Sequence, residues 1–126
     1  MDLSKQPAPP AYPLTFKGHL ATSVLHADRV EFRRRWAARL GGNRSGTVLL
    51  ADVLKIDAVA PTGWVNGYVH LITAADSGRL RAASRLPQEA VAGNPRTIMF
   101  SYGQRDTYTK FVAAVEAAWR ALGSGL

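Results

Sequence analysis

The apolar positions of this chain follow a strand-like rhythm for most of its length and a helical one at its end. From Tyr108 onward, Tyr108, Phe111, Val112, Val115, Trp119 and Leu122 recur at steps of three and four. Thr107, Lys110, Glu116 and Arg120 fall mostly off that line. This spacing lays one apolar stripe along an α-helix and predicts a helix over residues 106–122. Asp106 is placed to accept from the first free N–H groups, and Gly123-Ser124-Gly125 to stop the helix. A stripe with three large aromatics needs a surface to cover it, and the preceding residues must build that surface.

Those residues read mainly as strands. Leu14, Phe16, Leu20 and Val24 alternate imperfectly around Gly18, which predicts one strand over 14–25 with a kink or bulge. After a turn at Ala27-Asp28, Val30 and Phe32 oppose Arg29 and Glu31 at a period of two. Residues 29–40 fit two templates. Asp28-x-x-Glu31 has capping-box form, and Phe32, Trp36 and Leu40 have helical spacing. The same residues also fit two strands joined near Arg34-Arg35. Gly41 to Gly46 is loop chemistry. Val48, Leu49 and Leu50 suit a buried strand, residues 50–53 a short turn, and residues 54–59 the next strand. Pro61-Thr62-Gly63 and Asn66-Gly67 are turn signals. Tyr68 to Ile72 and Arg96 to Phe100 read as further strands. The polar, basic segment between them, residues 74–93, reads as a long loop with a helical turn near Pro87-Gln88-Glu89.

The 126 residues, 47% of them hydrophobic, fit one domain with a core that needs no staples. The expected organisation is a leader over 1–13, a domain over 14–122 with a loop insertion at 74–93, and a tail over 123–126. Four prolines between Gln6 and Pro13 exclude a helix there and favour an extended arm. Cysteine is absent, which removes disulfides, thiolate chemistry and cysteine metal sites. No apolar run approaches the ~20 residues of a membrane span, and the first residues lack the form of a secretion signal. The expected location is the cytoplasm of a prokaryote or of something that infects one, with peripheral membrane attachment as a variant. The net charge of +7 favours anionic partners. Arginine outnumbers lysine and alanine is abundant, a pattern that codon bias produces as readily as phosphate binding does.

The order of pieces resembles a known family. It begins at Gly18-His19-Leu20 and continues through Asp28-Arg29-Val30-Glu31-Phe32-Arg33-Arg34 and Val48-Leu49-Leu50-Ala51-Asp52-Val53. Lys55 to Val59, Pro61 to Tyr68 and Asn94-Pro95-Arg96-Thr97-Ile98-Met99-Phe100 complete it, ahead of the helix. The series, over about residues 16–122, resembles a bacterial pleckstrin-homology-like (PH-like) family of uncharacterised function. Arg35 departs from it where glycine is usual, and Leu49 where proline is usual. Members of that family often carry two copies or a short helical tail; here one copy without the tail is expected. The resemblance implies a mainly β fold with α: a bent antiparallel barrel or sandwich of about seven strands, capped by one C-terminal helix. It also implies strands rather than a helix after Arg29.

The chemistry of an enzyme is not visible. His19, His26 and His70 lack metal-ligand spacing, and the nine acidic residues are scattered singly. Ser23 and Ser101 have no nucleophile elbow. Gly41-Gly42-x-x-x-Gly46 lacks the ending of a phosphate loop. No cofactor and no metal are expected. The sequence points instead to a non-enzymatic interaction or adaptor module that binds another protein, including a second copy of itself. Trp64 in its turn-rich segment, and Tyr12 at the end of the leader, are the interface candidates. The alternative is an anionic surface, phospholipid head groups before nucleic acid. It would be held by Arg33, Arg34, Arg35, Arg39 and Arg44 at the rim of a hairpin. Arg34 would point with Phe32, so the strand is expected to end or bulge there rather than bury a cation.

Overall fold

The computed structural model describes residues 11–34, 46–74 and 96–124. Seven antiparallel strands form two sheets, and one helix follows them. The first sheet has the order β1 (Leu14–Gly18), β2 (Ala21–Leu25), β3 (Arg29–Arg34), β4 (Gly46–Leu49). A short 3-10 turn, Leu50–Asp52, leads to the second sheet. Its order is β5 (Lys55–Val59), β6 (Gly67–Ile72), β7 (Thr97–Phe100). The helix α1 spans Arg105–Ser124. The sheets do not close into a barrel, so the architecture is a sandwich of bent sheets.

Period-two alternation decides what each strand buries. Register places Leu14, Leu25, Val30 and Val48 in one row across the first sheet, and Phe16, Ser23 and Phe32 in the next. In the second sheet Val69 and Leu71 pair with Ala58 and Ile56, and Val69 also pairs with Ile98. These rows face each other and form the core together with Phe100, Phe111 and Val115. The aromatic centre is compact: Phe111 lies 5.2 Å from Phe16 and 5.9 Å from Phe100, ring centre to ring centre.

The helix completes that core. It packs on β1, on β7 and on the 3-10 turn between the sheets. Phe111, Val115 and Ala118 are buried, while Tyr108, Val112 and Trp119 are partly buried against the core. The Trp119 indole N–H donates to the Val53 carbonyl at 3.2 Å and ties the helix to the entrance of β5. Leu122, the last residue of the predicted stripe, is exposed instead. The helix also ends later than its glycines suggest, since Gly123 and Ser124 remain helical. Asp106 is not the cap. Ser101 and Gln104 form a reciprocal capping box around a 3-10 turn that runs directly into α1, which leaves Asp106 in the first turn.

Two other expectations are corrected. The single kinked strand over 14–25 is a hairpin. His19 and Leu20 turn the chain, and Leu20 adopts φ 56°, a left-handed conformation costly for a leucine. Gly18 enters this turn because no side chain fits: a Cβ there would meet the Met99 carbonyl oxygen and the Ile98 side chain at under 3.0 Å. The turn is fastened by the His19 N–H, which donates to the Met99 carbonyl at 2.7 Å and joins the two sheets.

The second correction concerns Arg34. The ambiguous stretch is strand as far as Arg34, the last described residue of β3, and it shows no bulge up to that point, since Ala21 still pairs with Arg34 in regular register; what is overturned is the expectation that the cation stays out of the interior. Arg34 therefore shares the inward face with Val30 and Phe32 and is buried. Its guanidinium donates to the Thr97 carbonyl of β7. A cation so placed is tolerable because backbone oxygen replaces the lost water. Burial pulls its pKa below the usual arginine value. The proposed second strand near Arg35, the leader up to Pro10, most of the 74–93 loop and the last two residues of the tail lie outside the described residues.

Candidate functional site

The connection between β5 and β6 carries the most exposed large hydrophobic side chain among the described residues. Trp64 is 98% exposed. It stands at a hairpin tip whose geometry is fixed from within. The Thr62 hydroxyl oxygen accepts from the N–H groups of Trp64 at 3.2 Å and Val65 at 3.0 Å. The Thr62 N–H donates to the Val65 carbonyl at 2.9 Å. A threonine closing two successive N–H groups in this way holds a turn without burying it. Pro61 is buried at one foot of the turn. Gly67 stands at the other, where a Cβ would collide with backbone atoms of Val59, Ala60 and Pro61. Val59 and Val65 are also exposed, so the tip is apolar beyond the indole itself. It projects beside the end of β7, because Gly67 pairs with Phe100.

Tyr12, the other interface candidate, is partly buried against the core. The arginine candidates divide three ways. Arg33 is exposed but bonded to Glu31 at 3.1 Å. Arg34 is buried between the sheets. Arg35, Arg39 and Arg44 lie outside the described residues, as does Trp36. The structure therefore does not bring Arg33 and Arg34 to one rim.

A charge cluster that the sequence reading overlooked occupies the outer face of β3. Glu31 faces Arg33, Arg29 at 3.8 Å and His26 at 3.6 Å. Asp28 takes Arg29 at 2.9 Å. The Arg33 hydrogen bond, then His26, holds the Glu31 carboxyl below the usual carboxylate range. The signal was present in Arg29-x-Glu31-x-Arg33, since strand period puts all three on one face. These cations are largely answered locally, which weakens them as a docking surface.

Tyr68 and Tyr108 have phenols raised in pKa, by burial first and by the Asp57 charge second. Among the described residues no group of three or more histidine and carboxylate side chains could hold a metal ion. No described helix is long and apolar enough to cross a membrane.

A second feature lies at the opposite end of β5. An apolar pocket of about 560 Å³ is lined by Leu50, Ala51, Trp119, Arg120, Leu122 and Gly123. Leu50 is fully buried and forms its floor, while Leu122 is exposed at its edge. Sequence reasoning assigned Trp119 and Leu122 to the core stripe. The stripe's last turn instead overhangs the 3-10 turn and leaves a gap. Compared with models of known protein families, with curated proteins and with solved structures, the chain finds no match.

Proposed function

We propose that the protein is a non-enzymatic interaction module that binds another protein through the Trp64 turn. The observation that carries this reading is a tryptophan almost wholly in water on a turn held by its own hydrogen bonds. An exposed indole is costly to solubility, and tryptophan is the residue most enriched among binding hot spots. A pre-organised turn loses little freedom when it docks. The tip is convex, so it suits insertion into a partner rather than capture of a small molecule, which needs a concave site.

Membership of the bacterial PH-like family is part of the proposal. Seven antiparallel strands followed by one closing helix are what such membership requires. The anionic-surface alternative has less support, because one of its two described arginines is buried and the other is bonded to Glu31. The test is capture of binding proteins by the immobilised chain, with Trp64→Ala beside it, at low and moderate salt. Salt-tolerant binding that is lost in Trp64→Ala, with unchanged thermal unfolding, supports the reading. Binding that vanishes with salt and ignores Trp64 supports the anionic alternative instead.

A further inference from the structure

We infer that the Trp64 turn is one end of a longer contact surface whose other end is Leu20, and that its partner is an acidic polypeptide segment carrying apolar side chains. This rests on the proposed function and names the chemistry of the partner. Strand register lays the surface out. Val59 pairs with Tyr68, Tyr68 with Met99, and Met99 bridges to His19, so one transverse row runs from the end of β5 to the β1–β2 turn. At about 4.8 Å between neighbouring strands the row is about 14 Å long. Five of the eight exposed large hydrophobic residues among those described stand on it or in the segments that leave it: Leu20, Val59, Trp64, Val65 and Tyr102. Exposed apolar residues scattered singly need no explanation, but grouped ones mark an interaction site. An extended segment of about five residues, at about 3.3 Å each, reaches across the row.

Leu20 separates this surface from chance exposure. Its φ of 56° is left-handed, costly for leucine and cheap for glycine or asparagine. The hairpin needs that conformation but not that side chain. Leu20 is 44% exposed, so packing within the fold returns little of the cost. Strain that the fold itself does not reward points to a contact outside it. The Trp64 turn is fixed as well, by its own hydrogen bonds. Such fixed relief favours a partner of defined covalent shape, which gains from pre-organisation, over a fluid bilayer, which takes apolar tips in any arrangement. Charge gives the class of partner. Lys17 precedes His19 by two residues. The Arg105 guanidinium lies 4.4 Å from the centre of the Tyr102 ring, and its Nη1 donates to the Tyr102 carbonyl at 3.0 Å. Both cations are exposed, and neither pairs with a carboxylate among the described residues. The exposed Asp106 offsets part of this local charge, while the +7 of the whole chain steers an acidic partner inward and repels a second copy.

The probe is a display library of random peptides long enough to cross the row, selected on the immobilised full chain. Synthetic copies of the selected peptides are titrated by fluorescence anisotropy at about 50 and 200 mM salt. The proteins compared are the wild type, Trp64→Ala, Leu20→Asn and the double variant Lys17→Gln/Arg105→Gln. The selected peptides should combine carboxylates with apolar side chains. Leu20→Asn should weaken their binding about tenfold or more. Its thermal midpoint should stay at or above that of the wild type, because asparagine accepts the left-handed conformation. Salt should weaken wild-type binding without abolishing it, and the double variant should lose about tenfold at the lower salt together with most of the salt dependence. A library that yields no binder, or binders with no excess of acids, overturns the inference. So does a Leu20→Asn that binds as the wild type does, or whose lowered midpoint shows that the leucine serves the fold. Phosphatidylcholine vesicles containing phosphatidylserine are the second probe, and Leu20-dependent sedimentation with them would put a membrane in the segment's place. Binding lost in Trp64→Ala but kept in Leu20→Asn sinks this inference and leaves the Trp64 reading standing. The reverse pattern removes Trp64 from the surface and sinks both.

Discussion

Two glycines four residues apart in the β5–β6 turn should respond in opposite directions to the same substitution. At Gly67 an added Cβ would lie under 3.0 Å from the Val59 carbonyl oxygen, the Pro61 nitrogen and the Ala60 carbonyl carbon. All three are backbone atoms, so no rotamer change relieves them. Restoring ordinary contact beyond 3.4 Å requires the far side of the hairpin to move by about 1 Å. That side is the end of β5, whose Val59 pairs with Tyr68, while Gly67 itself pairs with Phe100. Movement therefore strains two ladders and the seat of a buried ring. Overpacking a side chain typically costs about 1–3 kcal/mol. Because the obstacle here is backbone on three sides, Gly67→Ala should lie at or above the upper end, at about 3 kcal/mol or more. Gly63 has nothing within 4 Å of its would-be Cβ. There Gly63→Ala costs no contact and removes freedom from the unfolded chain, worth about 0.4–1 kcal/mol in favour of folding.

The assay is thermal unfolding of both variants and the wild type, monitored by far-ultraviolet circular dichroism. At about 4 °C per kcal/mol for a chain of this size, midpoints should separate Gly67→Ala from Gly63→Ala by roughly 15 °C. The comparison uses one residue type, one turn and one substitution, so propensity cancels and only local space remains. Equal shifts in the two variants, or a Gly67→Ala midpoint within experimental error of the wild type, would refute the steric account of this turn.

Arg34→Ala removes both a charge-assisted bond to the Thr97 carbonyl and the packing of the side-chain stem, and should cost about 3 kcal/mol or more. Arg34→Met keeps the stem and avoids desolvating a cation, so its unfolding midpoint should fall between those of Arg34→Ala and the wild type, or above the latter. An alanine variant as stable as the methionine one would contradict this. Glu31, held below its ordinary pKa by Arg33 and then His26, contributes stability that is present above its unfolded value near 4.5. That contribution is lost as pH falls through the lower folded value. Glu31→Gln should therefore be less stable than the wild type at pH 6, with the gap narrowing as the pH is taken below the unfolded value near 4.5. Parallel curves above and below that value would exclude the effect.

Much of the fold could be read from periodicity, because alternation and helical spacing report burial directly. β3, β6 and β7 and the helical stripe were legible for that reason. The β1–β2 hairpin was not. Its turn contains His19 and a leucine at positive φ, neither of them a turn residue, and the conformation is imposed by the bond from His19 to Met99 of β7. Arg34 was legible only halfway. Strand period put it on the Phe32 face, and the general cost of burying a cation then argued against a continued strand. What decides the matter is the carbonyl of Thr97, 63 residues distant, and nothing local in the sequence announces it.

The tip of the β5–β6 hairpin shows the same division between local and distant causes. Pro61-Thr62-Gly63 and Asn66-Gly67 announce a turn and place Trp64 inside it. Whether the indole lies against the core or in water depends on where the hairpin ends relative to the rest of the sandwich, which is set by the pairing of Gly67 with Phe100. The turn projects past the end of β7, so no part of the described core lies within reach of the ring. The same register leaves the pocket at the other end. Trp119 is held at Val53 and Leu50 is buried under it, yet the helix continues past them to Ser124 over a turn too short to fill the space. β5 thus fixes both the projection and the cavity, and shortening or lengthening that strand by two residues would keep its inward face while changing their separation by about 7 Å.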